Sequence, residues 1–185
     1  MNEIRQRELA NRFRTIESKL ELLNLINDVI DVLFNSSFSK GTKAEKKIRH
    51  FTLAQLNYYA LASKKRKQYT SFIIAKKNGN DRHIKAPVKG LKVLQKCVNY
   101  LIQVSFEPAA AATGFVPGRS ILDNAKKHVG KSYVYNADLE NFFPSINFRR
   151  VKTVLMLDPI GINDQLAFLV GNICCKDGVL PQGAP

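Results

Sequence analysis

Tryptophan is absent, methionine occurs twice and cysteine only three times. An odd cysteine count, with Cys174 and Cys175 adjacent, excludes a disulfide framework of the secreted type. No Cys-x-x-Cys pair exists, which argues against a structural zinc site. Together these point to reduced thiols in a cytoplasm. Acidic residues are also scarce, 15 against 29 Lys and Arg, for a net charge of +14. That imbalance predicts attraction to a polyanion and is silent on fold. No apolar run is long enough to span a bilayer, and the opening Met1-Asn-Glu-Ile-Arg-Gln-Arg-Glu8 lacks the apolar core of a signal peptide. No membrane partner is expected. The length fits one domain by the prior of about 100–200 residues, and no internal repeat or low-complexity tract is visible.

What is present begins with a helical pattern. Leu9, Phe13, Ile16, Leu20, Leu23, Ile26, Ile30 and Leu33 recur in steps of three and four, which predicts one long helix from Met1 to about Phe34. It reads as a helix docked on its own domain, with a coiled-coil or partner-binding arm as the alternative. A Ser-rich loop over Asn35–Gly41 and a short basic helix to about His50 follow. Thr52-x-x-Gln55 resembles a capping box opening a helix through Ala62. Ser63-Lys64-Lys65-Arg66-Lys67 is a compact cationic cluster, suited to phosphate contact, with a solvated turn as the competing reading. Asn78-Gly-Asn80 between two β-rich arms, Tyr69–Lys77 and Arg82–Lys85, predicts a hairpin. Val88 to about Phe106 reads as an amphipathic helix, with Leu91, Leu94, Val98, Leu101 and Ile102 on one face. Ser120 with Asp123 starts a helix to about Val129, closed by Gly130. Asn147 caps a helix to about Leu157, Asp158-Pro-Ile-Gly161 turns the chain, and a last helix spans about Asp164–Cys174. Asp177-Gly178 then turns into Leu180-Pro-Gln-Gly183.

The chemistry concentrates in Tyr133-Val-Tyr-Asn-Ala-Asp138-Leu-Glu-Asn-Phe-Phe143-Pro-Ser-Ile146. Tyr133, Val134 and Tyr135 favour a strand, and Pro144 stops it. Asp138 falls at the strand's end. A carboxylate there can hold a divalent cation, and Mg²⁺ is usually bound by one or two carboxylates with substrate phosphates completing the shell. A surface Asp before a turn is the competing reading.

Other stretches accompany it in a fixed order: Arg82-His-Ile-Lys-Ala-Pro87, Leu91-Lys-Val-Leu-Gln95, Gly114-Phe-Val-Pro-Gly-Arg-Ser-Ile121, Asn124-Ala-Lys-Lys-His128 and Leu180-Pro-Gln-Gly-Ala-Pro185. Each is weak alone. In this order they resemble reverse transcriptases, with the Tyr133–Ile146 stretch similar to their motif A. Asn124-Ala-x-x-His128 resembles the retron branch and disfavours the alternative, a group II intron-type enzyme. The resemblance covers about Phe72 to Pro185.

It implies an α+β fold: right-hand polymerase fingers and the first part of a palm, helix-rich, with a β-hairpin and a short antiparallel palm sheet. The divisions would be an N-terminal helical region at 1–50, fingers at 51–130 and partial palm at 131–185. It implies two Mg²⁺ ions about 3.5–4 Å apart stabilising the attacking and leaving oxygens, with Asp138 as the catalytic ligand and the Leu139 carbonyl as a second one. Arg82, with Lys76 or alternatively Lys77, would grip the triphosphate, and the backbone near Asn141 and Phe142 would face it. Phe143, five residues past Asp138, would exclude a 2′-hydroxyl, since an aromatic face offers that oxygen no hydrogen bond. On a strand Phe142 and Phe143 would point opposite ways, one to the core and one to the cleft. Gln182 would sit beside the incoming sugar and base. Lys64, Lys65, Arg66 and Lys67, and the pair Asn124 and His128, would contact RNA.

The family also needs a Tyr-x-Asp-Asp hairpin, and no Asp-Asp occurs here. Residues 1–185 are therefore expected to be inactive alone. The implied activity is RNA-directed DNA synthesis on a structured non-coding RNA, giving an RNA–DNA product from deoxynucleoside triphosphates. An effector protein would be a further partner and phage defence the purpose. The alternative function is a non-catalytic RNA-binding fragment.

Overall fold

The computed structural model describes residues 3–35, 47–61, 65–75 and 81–185, without the side chains of residues 65, 66, 81 and 82. The expected long N-terminal helix is two helices, α1 (Glu3–Thr15) and α2 (Lys19–Ile30). Ser18 breaks it. Its hydroxyl accepts from the Glu21 N–H at 3.2 Å, while the Glu21 carboxylate accepts from the Glu17 N–H at 2.8 Å. These bonds satisfy donors that a new helix start leaves without intrahelical partners. Leu9, Phe13, Ile16, Leu23, Ile26 and Ile30 remain buried, but Leu20 is turned out to solvent. A π-helical stretch, Asp31–Asn35, extends α2.

Residues 47–50 are not helical, against the expected basic helix; the rest of that expected helix, and residues 36–41 of the loop before it, lie outside the described residues. Side chains of α2 and its extension hold this segment instead. Asn27 exchanges two hydrogen bonds with the Phe51 backbone, Asn35 does the same with Ile48, and Asp31 meets His50 at 2.9 Å. The capping box at Thr52 and Gln55 forms as expected and opens α3 (Leu53–Ala60). A short α4 (Lys65–Gln68) leads into β1 (Tyr69–Ala75), which pairs antiparallel with β2 (Asp81–Pro87), Tyr69 opposite Pro87 and Ala75 opposite Asp81. The hairpin is thus present, with its tip outside the described residues.

Helix α5 (Lys89–Ser105) is central. It buries Leu91, Leu94, Val98 and Leu101 against α1, α2 and α9 (Asp164–Cys174). α9 also packs on α3 and on α8 (Phe148–Met156), which Asn147 caps by accepting from the Arg150 N–H. One apolar core runs from Leu9 to Ile173.

The intervening stretch is different: no residue from 106 to 147 is buried. Ser120 and Asp123 form the expected capping box of α6 (Ile121–Lys126), which ends three residues before Val129. The strand expected at Tyr133–Tyr135 does not form. A strand needs a partner for its N–H and C=O groups, and among the described residues β1 and β2 pair only with each other. Tyr133 and Tyr135 are 94% and 92% exposed. The expected palm sheet is reduced to isolated bridges, Asn147 to Val179 and Lys176 to Val179. Helices and one antiparallel hairpin make the fold α+β. Among the described residues no helix is long and apolar enough to cross a membrane.

Candidate nucleotide and metal site

Asp138 and Leu139 lie on an exposed segment without regular secondary structure that runs into α7 (Phe142–Ser145). Asn141 makes the bend in the left-handed region, at φ 51° and ψ 35°, which asparagine tolerates better than most residues. Its carbonyl accepts from the Ser145 N–H at 3.0 Å, and the Ser145 hydroxyl donates to the Phe142 carbonyl at 2.7 Å. Pro144 fits here because the first helical turn needs no N–H from it. Phe142 and Phe143 are therefore on a helical turn, not on a strand with opposed directions. Their rings meet edge to face, 5.4 Å apart.

Behind this turn the chain is tied to the segment after α9. The Phe148 N–H donates to the Gly178 carbonyl and the Leu180 N–H to the Ile146 carbonyl, at 2.8 and 3.0 Å. Asp177 and Gly178, both at positive φ (54° and 79°), make the expected turn. The same segment docks on the hairpin. The Lys85 N–H donates to the Gln182 carbonyl at 3.0 Å, and the Lys85 ammonium pairs with Asp177 at 3.1 Å. Gly183 has φ 103°, and a Cβ there would lie 2.6 Å from Ile84 Cγ2. The close approach that its glycine permits is thus to strand β2.

Phe143 lines a small cavity of about 120 Å³ with Gln95, Cys174, Leu180, Pro181 and Ala184. Gln95 is 4% exposed. Its amide donates to the Tyr69 hydroxyl and to the Ile173 carbonyl, each at 2.9 Å, joining hairpin, α5 and α9. Burial pushes the Tyr69 phenol up to about 12, against a smaller opposing effect of the Gln95 hydrogen bond. Lys176 sits 5.2 Å from that ring's centre.

No protein-family model matches the chain. Among curated proteins it is 33% identical over 182 residues to the retron Ec86 reverse transcriptase of Escherichia coli, covering 96% of this chain and 50% of that protein. The retron Mx65 and Mx162 reverse transcriptases of Myxococcus xanthus are 40% and 44% identical over 90 and 87 residues, covering 49% and 47% of this chain and 21% and 18% of theirs. The chain belongs to the retron reverse transcriptases. It spans about half the length of the Ec86 enzyme and less of the Myxococcus ones.

Of the residues that the retron resemblance singles out, the structure brings Phe143 and the Gln182 segment to one side of the hairpin base. Asp138 and Leu139 lie on the segment leading to that turn. Lys64, Lys76 and Lys77 lie outside the described residues, and for Lys65, Arg66 and Arg82 only the backbone is described. Lys67 is exposed on α4. Asn124 is on α6, and His128 lies in the turn beyond its end.

Among the described residues no group of three His, Cys, Asp or Glu comes together. The donors at hand, one exposed carboxylate and a neighbouring carbonyl, are oxygens of the kind Mg²⁺ takes, and fewer than an all-protein cage would need. Sequence reasoning missed three residues: Gln95 as the bridge between elements, and Lys85 with Asp177 as the latch.

Proposed function

We propose that this chain carries part of the nucleotide site of an RNA-directed DNA polymerase of retron type, copying a structured non-coding RNA. One observation supports the reading above the rest. Strand β2, the Leu180–Ala184 segment and Ile146, at the end of the Phe142–Ser145 turn, are joined by backbone hydrogen bonds into one corner, and Asp138 lies on the irregular segment that leads to that turn. In this reading Asp138, with the Leu139 carbonyl, holds Mg²⁺. When bound, Mg²⁺ stabilises charge on the attacking and leaving oxygens. The Tyr-x-Asp-Asp carboxylates that the family uses are not among residues 1–185, so in this reading these residues alone make no DNA.

Arg82 forks onto phosphate oxygens while Lys76 or Lys77 adds a point charge. The backbone at Asn141 and Phe142 faces the triphosphate. The Phe143 ring closes the space where a ribonucleotide's 2′-hydroxyl would go. The Gln182 carbonyl is engaged by Lys85, which leaves its side chain for the incoming sugar or base. Lys64–Lys67, Asn124 and His128 contact the RNA. We assign the product to phage defence, with an effector protein as partner, on the strength of the retron family alone.

A second reading, an RNA-binding module without catalysis, is favoured by the net charge of +14, which binding alone would explain. Incubating the complete protein with its RNA, deoxynucleoside triphosphates and Mg²⁺ separates the two. A DNase-sensitive, template-length product supports the polymerase. RNA binding with no such product supports the module.

A further inference from the structure

The outer face of α5 and the loop after it form a surface that the nucleotide site does not use. Lys89, Lys92 and Lys96 are exposed, and Gln103 continues their line at helical spacings of three, four and seven. Residues so spaced fall on one stripe, about 21 Å long from Lys89 to Gln103 at 1.5 Å per residue. Among the described residues none of the three lysines pairs with a carboxylate.

The stripe ends in a groove of about 890 Å³ between α1 and the 106–119 loop, lined by Gln103, Arg7 and Phe115 among others. Two other arginines of this groove are engaged by backbone: Arg14 donates to the Ser105 carbonyl, and Arg119 to those of Ala109, Ala110 and Ala112. Lys127 bonds the Ala110 and Ala111 carbonyls as well. These contacts fix the loop that carries Phe115. Phe115 is 99% exposed and has φ 58°. A bulky residue in the left-handed region is strained, and such strain gathers at functional positions.

We infer that the α5 stripe and the Phe115 groove bind a single-stranded RNA segment of about six stacked nucleotides, at 3.4 Å per nucleotide. The lysines track its phosphates and Phe115 stacks a terminal base, the combination used by single-strand binders. Glu3 and Glu107 also line the groove. They would repel a phosphate there, which assigns the groove to the base and the stripe to the backbone. The inference rests on the proposal that RNA is the partner, but not on polymerisation.

The test is fluorescence anisotropy of a labelled oligouridylate of about 12 nucleotides, with EDTA present so that no synthesis occurs, from about 50 to 200 mM salt. Replacing Lys89, Lys92 and Lys96 by Ala should reduce the slope of log affinity against log salt by about 2, from 0.7 per phosphate contact on a single strand. Phe115→Ala should weaken binding about 5- to 100-fold and leave that slope unchanged. An Arg149→Ala, Arg150→Ala double variant on α8 should change the slope less than the lysine variant does. An equal change in slope per charge removed in the two cation variants would overturn the proposal, showing diffuse attraction. A Phe115→Ala protein with unchanged affinity would also overturn it. Failure of DNA synthesis in the separate extension assay leaves this outcome untouched.

Discussion

Replacing Gly183 by Ala tests whether the hairpin and the segment after α9 are locked as the structure has them. At φ 103° any L side chain is strained, by about 1–2 kcal/mol. The new methyl would also stand 2.6 Å from Ile84 Cγ2 and 3.5 Å from the Lys85 carbonyl oxygen. The strand cannot retreat from it without stretching the Lys85 N–H bond to the Gln182 carbonyl, whose loss costs about 0.5–1.5 kcal/mol. The two together give a destabilisation of about 1.5–3.5 kcal/mol, read from urea midpoints at constant slope. Ile84→Ala removes the atom that is struck but not the backbone strain. The double variant should therefore be more stable than the sum of the singles by about 0.5 kcal/mol or more. A Gly183→Ala protein within about 0.5 kcal/mol of the parent, or no coupling with Ile84, would refute the docking.

Three further outcomes follow from other parts of the molecule. On the polymerase reading, Phe143→Ala should lower discrimination against ribonucleotides about 5- to 100-fold, the cost of an unpaired buried hydroxyl, measured as the ratio of kcat/KM for the two sugars; an unchanged ratio would make Phe143 a packing residue only. Burial pushes both the Cys97 thiol and the Tyr69 phenol up to about 12. The folded state then keeps protons that the unfolded chain releases above its ordinary values of 9.0 and 10.0, so stability should fall as pH rises through that window, by about 1.4 kcal/mol per unit per group. Urea midpoints flat between pH 9 and 12 would contradict it. Ser18→Ala should cost about 1 kcal/mol as a lost cap; a gain in thermal stability would mean that α1 and α2 are continuous.

The parts of the fold legible in the sequence are those with local causes. Thr52 with Gln55, Ser120 with Asp123, and Asn147 each cap a helix with bonds made within three residues. The pairing of β1 with β2 and the α5 apolar face follow from the β-rich composition of the two arms and from periodicity. The misreading of the N-terminus was also local: Ser18-x-x-Glu21 is a capping pair, but the apolar rhythm continues across it and masks the break. The strand at Tyr133–Tyr135 was not legible because β propensity states only that a residue suits a sheet, and pairing depends on a neighbour elsewhere. The same applies to the site. Asp138 and Phe143 stood out by their spacing, whereas Lys85, Asp177 and Gln95 act across gaps of 26 to 92 residues, which no local pattern encodes.

The most direct test of the polymerase reading is the effect of Asp138→Asn on the complete protein. RNA-templated DNA synthesis with Mg²⁺ and the affinity for the same RNA should be measured side by side. Asp138 is exposed, and no residue from 106 to 147 is buried, so the exchange should leave folding and RNA affinity as they were. The account predicts that synthesis falls to background while RNA binding is unchanged. Synthesis at the parent rate in Asp138→Asn would contradict it.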